Sequence, residues 1–269
     1  MSSDVDVLIP TYRRPAALAG TLATVASQTI GRLRVVVSDQ TEDVGLGVGP
    51  EAQSVLRLMT ARGHEVEVQR HGPRRGLAEH REFLLSRAAA PYALFLDDDV
   101  LIEPDLVERL VRAIKAEGCG FVGSAVIGLS FVGDVRPDEE HIELWDGPVT
   151  PEKLRPEGPG WERHRLHNAA NLWHVQQRLG LSPADQRVYK VAWVGGCVLY
   201  DVDKLRRAGG YSFWRELPRQ HCGEDVLAQL RVMAQFGGCG LIPSGAYHQE
   251  LPTTVPETDR QADAPLLLQ

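Results

Sequence analysis

The chain reads as an α/β protein built on a mostly parallel, doubly wound, Rossmann-like sheet. Two observations predict this. Short apolar or β-branched runs alternate with stretches of helical period through the first half, and each run stops on a polar cluster. Strand and helix in alternation imply right-handed crossovers, with ligands gathering at the carboxyl ends of the strands. The polar residues that close each run therefore carry the functional weight.

Taken in order, DVLIP at 6–10 is a first strand stopped by a proline, and residues 15–28 follow as a helix with Leu18, Leu22 and Val25 on one face. RVVVSD at 34–39 is the second strand, followed by the glycine-rich GLGVGP loop at 45–50. A helix over 51–62, the alternating strand EVEVQ at 65–69 and a helix over 76–88 come next. YALFL then runs into Asp97, Asp98 and Asp99, and Pro104 opens a helix through Glu117, since a proline at the first turn loses nothing by lacking an N–H. FVGSAVIGL is the next strand. Periodicity fades over about 137–190, a stretch holding Trp145, Trp161 and Trp173 with His164, His167 and His174, and this is an irregular insertion beside the site. VAWVGGCVLY, a turn at Gly209 and Gly210, a helix over 224–235 and a last strand GLIPSGAYH complete the fold. Residues 1–251 form one domain, its halves meeting near residue 125, and residues 252–269 form a flexible tail.

Composition excludes several classes. The net charge is −7 and basic residues are dispersed, which argues against nucleic acid as a partner. Cys119, Cys197, Cys222 and Cys239 form no CxxC pair, so neither a zinc ribbon nor a redox motif is expected, and a reduced, cytoplasmic protein is. No stretch approaches the length of a membrane-spanning helix; peripheral attachment and homo-oligomerisation stay open. In GLGVGP, Pro50 stands where a dinucleotide fingerprint needs its third glycine, and no GxxxxGK[ST] phosphate loop occurs.

Three adjacent carboxylates at a strand end repel one another and resist burial unless a cation or solvent compensates them, so Asp97–Asp98–Asp99 suits Mn2+ or Mg2+, with the alternative of a solvated acidic loop. Gly223–Glu224–Asp225 opens a helix, where carboxylates cap free N–H groups or, in a transferase, take the proton of an acceptor hydroxyl.

Five segments in order resemble the inverting glycosyltransferases of family 2, whose fold is the nucleotide-diphospho-sugar GT-A type: VLIPTYRRP, VVVSDQTED, RGLAEHREFLL, ALFLDDDVLIEPD, and GGCVLYDVDKLRRAGGYSFW with the following GED. The resemblance runs from about Asp4 to His248. It implies that Pro10, Thr11, Tyr12 and Arg13 hold the nucleotide and that Asp39 faces the base. Arg75, Gly76 and Arg81 then lie near the donor diphosphate, where a guanidinium offers bidentate contacts. Asp99 is implied as the direct metal ligand, with Asp97 or Asp98 nearer the ribose and Asp97 a second candidate for the metal. Asp225 is implied as the base, and Glu224 as an acceptor-orienting residue. Gly196, Trp161 and Trp173 are candidates for the acceptor side, core packing being the alternative for the tryptophans. His248 is either a metal ligand or a surface histidine. Where the family has an asparagine after the arginine of this helix, Glu82 stands, which leaves that helix's donor contacts open; Arg14 and Arg74 could equally be solvated and are left out of the site. The implied partners are a nucleotide-sugar donor, UDP-linked being the commonest expectation, and a small-molecule or saccharide acceptor. A sugar nucleotidyltransferase and a non-catalytic sugar-nucleotide-binding protein are the competing readings; the first would normally carry a glycine-rich basic loop after the first strand, and IPTYRRP has no glycine.

Overall fold

The computed structural model describes residues 4–42, 48–252 and 264–268. Four parallel strands form one half of the main sheet: β1 (Val5–Thr11), β2 (Arg34–Asp39), β3 (Glu65–Arg70) and β4 (Tyr92–Leu96). Helices α1 (Pro15–Val25), α2 (Gly49–Ala61) and α3 (Leu77–Arg87) connect them. Every residue of β1 is buried, as a strand covered by helices on both faces must be. Alternation sorts its side chains: Val5, Val7 and Ile9 pack with α1, α2 and α4 (Leu106–Glu117), whereas Leu8 packs with Phe95 and α3 on the other face. The result is three layers, helix on sheet on helix.

Beyond β4 the sheet turns mixed. β8 (Cys197–Asp201) lies antiparallel between β4 and β6 (Phe121–Gly123), and β9 (Gly238–Ile242) runs parallel to β6. The full order is β3-β2-β1-β4-β8-β6-β9-β7, where β7 is Arg187–Tyr189, and β5 (Val100–Ile102) pairs with β10 (Ala246–His248) in a separate ribbon. α6 (Val202–Arg207) and α7 (Glu224–Phe236) cover the face that α3 covers.

Several elements differ from their expected extents. The stretch 137–190 is not wholly irregular: it contains α5 (Asn171–Leu179) and ends in β7 (Arg187–Tyr189), an edge strand antiparallel to β9. Three residues are too few to display a period, and Ala170 at the N-cap of α5 gives no side-chain cap. VAWVGGCVLY becomes a strand only at Cys197, because Gly196 takes φ +76 and breaks the extended run. FVGSAVIGL is a strand only as far as Gly123. GLIPSGAYH divides at Pro243, which cannot donate to a ladder, into strands of two different sheets. The helix expected from Pro104 begins at Leu106. Gly45 and Gly47 of the predicted loop lie outside the described residues. Part of the tail expected to be flexible is docked: Ala264 is fully buried and its N–H donates to the Cys222 carbonyl at 2.9 Å.

Candidate active site

The three aspartates lie in the turn from β4 to β5, at the carboxyl end of the sheet's central strand. Asp98 points back into the fold. Its Oδ2 accepts from the Thr11 hydroxyl at 2.6 Å, and its carbonyl accepts from the Thr21 hydroxyl at 2.8 Å. Burial raises its pKa to about 7, against the lowering effect of the Thr11 hydrogen bond. The side chain, one candidate for the ribose, thus ties the turn to β1, and the backbone carbonyl ties it to α1.

Asp97 faces the opposite way, toward α3 and α7. Arg81, only 4% exposed, places Nη2 at 3.0 Å from Asp97 Oδ1 and Nε at 3.2 Å from Glu224 Oε1. Burial opposes the charge on Arg81, but the carboxylates outweigh it and the guanidinium is held charged. This one side chain ties the end of β4 to the first turn of α7, although 127 positions separate Asp97 from Glu224. Arg81, expected to meet phosphate, is thus committed to two carboxylates. Glu82 turns away and accepts from the Tyr211 N–H at 2.8 Å.

Gly223, at φ +72, caps α7 and sets Glu224 and Asp225 in its first turn. Burial raises the Glu224 carboxyl despite Arg81 beside it. Burial, then the neighbouring Glu224, raise Asp225 to about 7. The Gly195–Gly196 pair runs between these groups. A Cβ at Gly196 would stand 3.6 Å from Asp97 Oδ2, and one at Gly195 would stand 3.8 Å from Asp225 Oδ2; the Gly196 carbonyl accepts from the Asp97 N–H at 2.9 Å. Asp97, Gly196, Glu224 and Asp225 accordingly share one site.

On the donor side, Asp39 is 2% exposed. Its Oδ1 accepts from the Thr41 N–H at 2.8 Å, while Oδ2 and the neighbouring Gln40 Nε2 find no hydrogen-bond partner among the described residues. Pro10 and Thr11 close β1 alongside Ser38 and Asp39 of β2. Tyr12 lies between guanidinium groups, with Arg74 at 3.9 Å and Arg13 at 5.2 Å from its ring centroid. Arg13 also pairs with Glu42 at 3.2 Å. Arg75 is exposed, near the Trp214 ring. Gly76, at φ +106, lets His221 pack against the start of α3, where a Cβ would come within 2.4 Å of the imidazole. That imidazole accepts from the Ala78 N–H at 3.1 Å, so Gly76 serves contact between segments.

Asp99 can hold a divalent cation. It is 5% exposed, and its Oδ2 pairs with the Arg14 guanidinium, with His248 Nε2 at 3.5 Å. Among the described residues no three His, Cys, Asp or Glu side chains form a metal-holding group. An oxygen donor such as the Asp99 carboxylate suits a hard cation whose remaining ligands are phosphate and water oxygens, as is common for magnesium and manganese. His248 suits that role less well. Its Nδ1 accepts from the Glu250 N–H at 2.7 Å, which leaves the proton of a neutral ring on Nε2, the atom facing Asp99.

Arg14 and Arg74, left out of the site with solvation as one alternative, are both engaged: Arg14 pairs with Asp98 and Asp99, and Arg74 lies over the Tyr12 ring. Trp161 is half-buried against the core and 5.8 Å from His164; Trp173 is half-buried on α5. Sequence reasoning passed over Trp193, whose ring edge lies 3.6 Å from the Gly195 Cβ position that Asp225 also approaches. Its only sequence signal is adjacency to the glycine pair. A shallow concavity between 89–92 and Asp201–Arg206 lies at the opposite end of β4 and contains none of these carboxylates.

The fold is of the GT-A type. The model of glycosyl transferase family 2 matches residues 6–169, more than half of the chain, and the chain belongs to that family. The succinoglycan biosynthesis protein ExoM of Rhizobium meliloti (strain 1021) is 27% identical over 121 residues, 44% of this chain and 37% of that protein, so the match spans little more than a third of the relative's length. The S. aureus TarS 1-349 structure in complex with UDP superposes with a TM-score of 0.53 at 15% identity, covering 91% of this chain and 60% of that one. The mannosyltransferase PcManGT from Pyrobaculum calidifontis, in complex with GDP-Man and Mn2+, gives 0.51 at 18% identity over 88% of this chain and 56% of that one. No helix among the described residues is long and apolar enough to cross a membrane.

Proposed function

We propose that this chain transfers a sugar from a nucleoside-diphosphate donor to an acceptor hydroxyl, by a single displacement that inverts the anomeric carbon. The observation that carries the reading is the Arg81 bridge, which brings the carboxyl end of β4 beside the first turn of α7. A donor anchored at Asp99 and Asp97 would then lie within reach of Asp225. With its pKa at about 7, Asp225 is deprotonated to a useful extent at neutral pH and still basic enough to take a hydroxyl proton. The Val226 N–H fixes that carboxylate through Oδ1, Arg81 holds Glu224 beside it, and Glu224 borders the acceptor. Asp99 would hold Mn2+ or Mg2+, which supplies charge neutralisation for the departing diphosphate.

The donor base is read from Asp39. A buried carboxylate oxygen without a partner is costly, and a ring N–H donor would satisfy it. Uracil and guanine carry such a donor in their neutral forms, while cytosine and adenine do not. Structural neighbours bound to UDP, UDP-GlcNAc and GDP-Man support the same choice, and UDP is the donor nucleotide proposed here. In this reading residues 1–125 form the donor half and 126–251 the acceptor half.

Thermal unfolding with UDP, GDP, CDP and ADP, each with and without Mn2+, tests the reading. UDP with Mn2+ should raise stability by about 2.7 kcal/mol at a hundredfold excess over Kd, and Asp39→Ala should remove the preference over CDP. A protein indifferent to all four nucleotides would refute it.

A further inference from the structure

α7 presents two polar side chains one turn apart, Asp225 and Gln229, on the same helix face. Gln229 is fully buried and spends both ends of its amide on a single residue: Oε1 accepts from the Val194 N–H at 2.8 Å, and Nε2 donates to the Val194 carbonyl at 2.7 Å. Two bonds from one planar group fix both the position and the rotation of the backbone they grip. The place of Trp193, next in the chain, is thereby set by the helix that carries Asp225.

Trp193 is half-buried, and its indole edge reaches toward Gly195. Cζ3 lies 3.6 Å, and Asp225 Oδ2 3.8 Å, from the point a Cβ at Gly195 would occupy. An aromatic edge and a carboxylate thus converge above a residue with no side chain. His164 backs the indole with its ring within 11° of parallel at 6.2 Å, and is itself held through Nδ1 by the Trp161 carbonyl at 2.7 Å. Packing accounts for the buried part of the tryptophan. It does not account for a satisfied, fully buried amide that registers the adjacent backbone to the helix of Asp225.

We propose that Trp193 is the platform of the acceptor subsite. It takes a pyranose ring stacked on the indole with one hydroxyl set toward Asp225, and Gln229 is the positioning residue that fixes the spacing. The proposal rests on the reading of Asp225 as the base. In the step it serves, the hydroxyl proton passes to Asp225 and an oxygen lone pair forms the bond to the anomeric carbon. The bond from that carbon to the diphosphate oxygen breaks, and its electron pair leaves with the diphosphate. Flat apolar sugar faces pack on indole much as aromatic rings pack on one another, so the acceptor class is a saccharide. Trp161 then braces His164 without itself meeting the sugar.

The test uses the whole chain, fluorescently labelled, on an array of mono- to tetrasaccharides with UDP and Mn2+ in excess, alongside calorimetric titration of UDP. Wild type should retain at least one saccharide; Trp193→Ala should lower that signal about tenfold or more, and Trp193→Phe should keep it within about threefold. UDP affinity should stay within about twofold in both variants. Gln229→Leu should lose the saccharide signal while holding UDP, and Trp193 substitution carries the test should that variant not fold. Saccharide retained undiminished by Trp193→Ala, or none retained by a wild type that binds UDP, overturns the subsite. Failure of wild type to bind UDP strikes the donor reading instead, and the subsite falls with it.

Discussion

Asp225 Oδ1 accepts from its own helix at the Val226 N–H, 2.8 Å away, and Oδ2 faces the Gly195 backbone. Asp225→Asn keeps the shape and removes the basicity, so turnover should fall by about 10²–10⁴ in steady-state kinetics while calorimetry finds UDP affinity unchanged. The pH dependence follows from the pKa of about 7: the active form is the carboxylate, so the acceptor kcat/KM should climb as pH rises through 7 and fall by one proton's slope below it. Stability runs the other way. The folded state holds this proton more tightly than the unfolded chain, so the contribution of Asp225 favours folding below the usual carboxylate range and is lost as pH rises through 7. A pH–rate profile that stays flat from pH 5 to 8 would remove Asp225 from the role. That Asp97, Asp98 and Asp99 close a strand and that Glu224 and Asp225 open a helix was legible, because the apolar runs beside them stop on those polar residues. Their pairings were not: nothing in the local sequence reveals that Arg14 meets Asp99 or that Asp98 turns inward to Thr11.

Between elements, one contact joins β4, α3 and α7, and another joins α3 to the segment that leads into α7. The first is the Arg81 bridge. Removing the guanidinium leaves Glu224 buried beside Asp225 without its cation, and Arg81→Leu should cost about 3–5 kcal/mol in urea unfolding. Lysine supplies the charge but not the fork that reaches two carboxylates at once, so Arg81→Lys should recover only part of that loss. The second contact is His221 over Gly76. Ala at 76 meets both an unfavourable φ and the imidazole, so Gly76→Ala should cost about 1–3 kcal/mol, measurable in the same way. Long elements were readable from sequence: the parallel strands and α1 to α4 lie within a few residues of their expected positions, because continuous burial in β1 and β2, alternation in β3 and one apolar face on each helix imprint distinct patterns. β7 and α5 were not, since one is three residues long and the other starts without a capping signal.

Over the whole molecule, the sheet separates two cores, and the site lies where the parallel half meets the antiparallel β8. Donor binding at this seam adds stability to the folded state without changing how much surface unfolding exposes. UDP with Mn2+ should therefore raise the urea midpoint of the chain and leave the m value unchanged. A fall in m would mean that the two halves separate before the protein unfolds. The tail end at 264–268 packs on α7 near Cys222, a contact made across about forty residues of chain and invisible to local pattern.

By itself the sequence determined the layered α/β fold, the family, and which acidic residues stand at the carboxyl ends of strands, because burial period and residue chemistry are local properties written in order along the chain. Only the tertiary structure decided which of those carboxylates share a site, that Arg81 binds two of them, and that Trp193 stands beside Asp225. Those facts depend on distances between segments remote in sequence, which are set by how the helices pack against the sheet.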